Sequence, residues 1–283
     1  MRVALIQTCT PATPEAALCH VAPLVRQAAA EGARFIATPE GTNVLQRDRA
    51  KLLDLLTDVD EDPVATGLRR LAGELKVTLL IGSVLVRRAD QGFANRSLLV
   101  GPNGEVEATY DKIHMFDVDL PDGETARESH VYTPGDKAVW ADGGFGPRAL
   151  GLSICYDLRF PTLYRALAKA GAKLFAVPAA FTRPTGEAHW ETLLRARAIE
   201  NGAFVLAPAQ GGRHEDGRGT WGRSIVIGPW GEVLGRLDHD APGVLTVDLD
   251  LAAADRARAA IPALRNERVF RGPETERASA LAL

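Results

Sequence analysis

The chain has 283 residues, 46% of them hydrophobic and 24% charged, with a formal net charge of -3. That composition is enough to bury a large core and excludes a disordered chain. The near-neutral balance, with no run of lysines and arginines, excludes the electrostatic footprint of a nucleic-acid binder.

The opening stretch MRVALIQTCT enters a strand at once, with no apolar leader, and no segment approaches the roughly 18 apolar residues of a membrane span. Cys9, Cys19 and Cys155 form no CxxC or zinc-type spacing. An odd count suits a reducing compartment, so a cytoplasmic protein without a membrane partner is expected.

In chain order, RVALIQT (2–8) reads as a strand. A helix follows from Thr13-Pro14 to about Gly32, kinked or restarted at Pro23. ARFIATPE (33–40) reads as a buried strand ending in a carboxylate. Asp62-Pro63 caps a helix to about Lys76, VTLLIGSVL (77–85) is the next strand, and SLLVGPNGEVEATY forms a hairpin.

The second half repeats this order. EGARFIATPEG (31–41) matches AGAKLFAVPAA (170–180), and SLLVGPNGEV (97–106) matches SIVIGPWGEV (224–233). Two α/β halves, each with helices on one sheet face, bury their bare faces against each other as a four-layer α-β-β-α sandwich. Glu40 stands opposite Ala179 in this register, so only the first half carries a carboxylate at that strand exit.

GLSICYDLRFP (151–161) places Cys155 where a strand ends, shortly before a helix that Pro161 starts. Helix amides near the sulfur would favour a thiolate. A buried structural cysteine has the same pattern, so the reading depends on partners. A cysteine nucleophile needs a base and an oxyanion stabiliser; Glu40 and Lys112, the latter in YDKIHMFDVDLP, are the candidates. Asp157 and Arg159 are expected to pair and hold the turn, with His114 and His189 structural.

TPEG, YDKIHMFD and CYDLRFP, in this order, resemble the motifs of the nitrilase superfamily of carbon-nitrogen hydrolases, and the resemblance covers nearly the whole chain. It implies the same sandwich, one domain over 1–270 with 271–283 as a tail, and a Glu-Lys-Cys triad on Glu40, Lys112 and Cys155. Glu128, in RESHVYTPGD, is implied as a further glutamate that positions the lysine and substrate. Cofactor-free amide hydrolysis through a thioester is implied, with neither metal nor cofactor and with the Tyr156 backbone amide beside Lys112 at the oxyanion.

AFTRPTGEAHW and AQGGRHEDGRG look most like Nit-type amidases. The implied substrate is a small carboxylate-bearing amide: deaminated glutathione, or α-ketoglutaramate if the chain is an omega-amidase. Tyr156, Phe181, Thr182 and Arg183 are the expected substrate contacts, with Arg213 and His214 as further basic candidates. The helix in HWETLLRARAIENGAF, with the one after Cys155, is implied to meet a second subunit in a homodimer. A scaffold without activity, or a thiol redox sensor using Cys155, is the reading from a different class.

Overall fold

Alternate residues of the first strand go to different cores. In β1 (Arg2–Gln7), Val3 and Leu5 face the second half of the chain, whereas Ala4 and Ile6 pack under helices. This is the two-residue period of a strand buried on both faces. The computed structural model describes residues 1–90, 92–120, 123 and 125–271. All of the expected tail beyond Arg271 lies outside the described residues.

The first half contains α1 (Pro14–Ala30), β2 (Phe35–Ala37), α2 (Arg49–Leu55), α3 (Pro63–Leu75), β3 (Thr78–Arg87), β4 (Phe93–Val100) and β5 (Val106–Asp111). The hairpin of β6 (Asp117–Asp119) and β7 (Thr125–Arg127) then leads to the second half. There follow β8 (Trp140–Ala141), β9 (Leu150–Leu152), α4 (Pro161–Lys169), β10 (Leu174–Ala176), α5 (Arg183–Asn201) and β11 (Phe204–Ala207). The short hairpin β12 (Gly211–Arg213) and β13 (Gly219–Trp221) precedes β14 (Ile225–Ile227) and β15 (Val233–Arg236). The chain returns as β16 (Gly243–Asp248) and ends in α6 (Ala252–Ala260) and α7 (Ala263–Asn266).

One sheet has the order β16-β1-β2-β3-β4-β5 and the other β15-β14-β11-β10-β9-β8. In each, three parallel strands, β1-β2-β3 or β9-β10-β11, continue into an antiparallel pair. The repeat seen in the sequence is therefore a repeat of topology. Helices α1 and α3 cover the first sheet and α4 and α5 the second, while Phe35, Leu80 and Leu99 meet the second half between the sheets. The architecture is the expected α-β-β-α sandwich.

Several local expectations change. Helix α1 runs through Pro23 without restarting, because its buried stripe Ala17, Val21, Val25 and Ala28 continues across the proline and packing outweighs the lost hydrogen bond. Strand β2 has three residues rather than eight; Thr38 N still donates to Leu80 O at 2.9 Å, but Pro39 has no N–H to continue the ladder. The Asp62 cap is present, its Oδ1 accepting from Ala65 N at 2.7 Å, and Lys76 closes α3 in a left-handed conformation. Helix α5 begins at Arg183, six residues before the stretch read as helical.

Candidate active site

Both sheets contribute strand ends to one cavity of about 780 Å³. Glu40 follows β2, Lys112 follows β5, Glu128 opens a short 3-10 turn after β7, and Cys155 begins another after β9. All four line the cavity. The ends of parallel strands in an α/β sheet are where such sites form, because the loops there are free to carry function.

The lysine ties the acids together. Lys112 Nζ donates to Glu40 Oε1 at 2.9 Å and to Glu128 at 3.0 and 2.8 Å. Its side chain is 2% exposed. Burial pulls the ammonium pKa down, but the carboxylates of Glu128 and Glu40 outweigh this and raise it well above the ordinary lysine value. Lys112 is therefore a fixed cation. Glu40 also accepts from Ala180 N at 3.0 Å, and Glu128 from Phe116 N at 2.7 Å, so backbone from both halves orients the carboxylates.

Cys155 adopts a left-handed conformation, φ 49°, which a side chain rarely takes. Its N–H donates to Pro178 O at 2.9 Å, which helps fix the turn. Burial, then the nearby Glu40 charge, pushes the thiol pKa well above its usual range, and Lys112 only partly opposes them. This corrects the expectation of a thiolate held by helix amides: α4 starts six residues later, at Pro161. Burial thus favours the neutral thiol, and a nucleophile at this position would need a base to take its proton.

Asp157 and Arg159 do not pair. Asp157 is fully buried and accepts from Tyr110 Oη at 2.6 Å, His114 N at 3.0 Å and Ile154 N at 2.9 Å, and meets His114 Nδ1 at 2.7 Å. It binds the lysine segment to the cysteine turn. Arg159 instead reaches His189 Nδ1 at 3.1 Å and lies 6.0 Å from the ring centres of Tyr156 and Phe181.

Tyr156, Phe181 and Thr182 line the cavity, but Arg183 does not: it forms an ion pair with Asp240. Arg213 and His214 also lie outside the lining, His214 buried against Thr220 Oγ1 at 2.8 Å. Besides Lys112, the basic residues that do line it are Arg47, Arg49, Arg127, Arg159 and Arg218. Asn95, whose amide contacts both glutamates, was also missed by sequence reading. The repeat register held a signal for it, because NRSLLVGPNGEV (95–106) aligns with GRSIVIGPWGEV (222–233), placing Asn95 opposite Gly222.

The sequence profile of carbon-nitrogen hydrolases matches residues 2–259. The chain belongs to the carbon-nitrogen hydrolase family, within the nitrilase superfamily. It is therefore a hydrolase of carbon-nitrogen bonds, acting as an amide hydrolase. It is 39% identical over 269 residues to the deaminated glutathione amidase of Yersinia enterocolitica, covering 94% of this chain and 92% of that one. It is 38% identical to the deaminated glutathione amidase of Homo sapiens, covering 87% of this chain and 76% of that one.

Among solved structures, the C. elegans NitFhit protein superposes with a TM-score of 0.85 at 31% identity, covering 94% of this chain. The chain spans only 65% of that longer protein. The amidase of Nesterenkonia sp. AN1 superposes with a TM-score of 0.78 at 28% identity, covering 95% of this chain and 94% of that one. Its structure, a glutamate-to-glutamine variant, shows covalent addition of the acetamide moiety of fluoroacetamide at the active-site cysteine.

Proposed function

We propose that this carbon-nitrogen hydrolase cleaves the amide of deaminated glutathione through a thioester on Cys155. The observation that carries the reading is the cluster of Glu40, Lys112, Glu128 and Cys155 in a cavity whose lining also holds five arginines. The covalent cysteine adduct of the Nesterenkonia amidase supports the same chemistry.

Glu40 accepts the Cys155 proton as the sulfur attacks the amide carbon and the C–O π pair moves to oxygen. Lys112 and the Tyr156 backbone N–H hold that oxyanion, and Glu128 holds Lys112. Collapse breaks the C–N bond while Glu40 returns the proton to the departing nitrogen. Glu40 then takes a proton from water as it attacks the thioester; the C–S bond breaks and the thiolate recovers its proton. The sum is amide plus water to acid plus amine.

Deaminated glutathione carries a keto-acid carboxylate at one end and a Cys-Gly carboxylate at the other, so hydrolysis yields α-ketoglutarate and cysteinylglycine. Arg159, which contacts His189 rather than a carboxylate among the described residues, suits the keto-acid end. The cavity falls within the range that takes drug-sized ligands, which favours the longer substrate over α-ketoglutaramate. The redox-sensor alternative is disfavoured by the protonated, buried thiol.

The assembly is a homodimer in the cytoplasm on this reading. Support comes from exposed Ile199, Trp230 and Val233 around α5 and the β14–β15 turn, and from three free cysteines. Among the described residues no helix is long and apolar enough to cross a membrane.

Side-by-side kinetics test the substrate. We expect kcat/KM for deaminated glutathione to exceed that for α-ketoglutaramate by about tenfold or more, the worth of one charge-assisted hydrogen bond to the tail. Equal or reversed efficiencies would move the chain to the omega-amidase branch.

A further inference from the structure

Asn95 sits on β4, 3% exposed, and its Nδ2 donates to Glu40 Oε1 at 2.9 Å and Glu128 Oε1 at 3.2 Å. Carboxylates accept only, so the amide nitrogen must face them and the orientation is settled by chemistry. The consequence falls on the other end of the amide: Oδ1 is buried, and among the described residues no donor reaches it. A buried unpaired carbonyl is destabilising, yet any flip would aim an oxygen at two carboxylates.

The neighbourhood reinforces the point. The Asn95 carbonyl accepts from Lys112 N at 2.9 Å, and the adjacent Arg96 holds Asp111 at 2.6 and 2.8 Å, so this residue lies beside the lysine in register. In the second half the equivalents of Glu40, Asn95 and Lys112 are Ala179, Gly222 and His239. The second half, which contributes Cys155 to the site, carries none of the three.

We propose that Asn95 is a positioning residue of the reaction, bridging Glu40 and Glu128 so that the Glu40 carboxylate stays aimed for proton transfer with Cys155. This rests on the reading of Glu40 as the base. Glu40 faces Lys112 from the end of β5, Glu128 from the 3-10 turn and Cys155 from its own turn, with Tyr132 and Arg218 also within electrostatic reach of the cluster. Asn95 is the side-chain amide that touches both carboxylates, beside the Ala180 N–H on Glu40 and the Phe116 N–H on Glu128.

The test is Asn95→Leu, and Asn95→Ala should leucine prevent folding, measured as steady-state kinetics and thermal unfolding beside Glu40→Gln. Expected are a kcat lower by about 10- to 100-fold and a KM within about threefold of wild type. Wild-type kcat, or a loss carried by KM, with Glu40→Gln inactive, would overturn this proposal alone. A fully active Glu40→Gln enzyme would overturn the base assignment on which it stands.

Discussion

At the scale of single residues, two opposite effects of burial set the chemistry. Lys112 keeps its charge because two carboxylates surround it, whereas Cys155 keeps its proton because burial and Glu40 both oppose a thiolate. A raised thiol pKa means the neutral form persists below it, so thiolate absorbance should be missing at about pH 8. The ultraviolet difference spectrum between wild type and Cys155→Ala checks this, and a clear thiolate band would contradict it. Lys112→Ala is expected to lower the acylation rate by about 10²- to 10³-fold, as loss of one oxyanion donor does. Single-turnover rates measure the effect.

At the scale of elements, a bulge in β3 holds the glutamate loop. Register shifts between Ile81 and Val84, and Ser83 Oγ accepts from Gly41 N at 2.8 Å. Gly82 makes the close approach possible: a Cβ there would lie 1.9 Å from Thr38 O, 2.6 Å from Pro178 Cβ and 2.7 Å from Pro39 O. The two prolines are repeat partners, one from each half, and they meet at this glycine. Gly82→Ala must displace backbone, so it is expected to cost about 1–3 kcal/mol of stability and to lower kcat by moving Glu40. Gly67→Ala, whose added Cβ would press only on the flexible end of Leu18, is the control. Thermal unfolding and kcat on both variants decide it, and an active, stable Gly82→Ala protein would mean that the loop is held elsewhere.

At the scale of the whole molecule, charge is unevenly placed. The chain carries a net charge of -3, yet arginines from both halves and the crossing hairpin line one cavity. Arg127 and Arg218 are partly neutralised by Asp119 and Asp216, but the cavity lining remains cationic. A dianionic substrate should therefore be captured less well as salt rises, with kcat/KM falling through KM while kcat holds. The same titration on a neutral amide should be nearly flat. Equal salt responses for the two substrates would remove the arginines from substrate capture.

Periodicity and repetition were enough to read the α/β class, the duplicated halves and most strand positions, because each is a local or tandem property of the chain. Glu40, Lys112 and Cys155 were not convincing one by one; three short motifs in the right order made them candidates together. Which side chains meet them was not legible. Arg183 turns to Asp240, 57 residues away, Asp157 takes Tyr110 and His114 in place of Arg159, and Asn95 reaches Glu40 across 55 residues. Such pairings depend on how the strands line up within and between the sheets, and on burial, which set the Lys112 and Cys155 protonation states. Local spacing encodes neither, so the sequence by itself determined the fold and the candidate reacting residues, and only the tertiary structure decided their partners, their charges and the shape of the cavity.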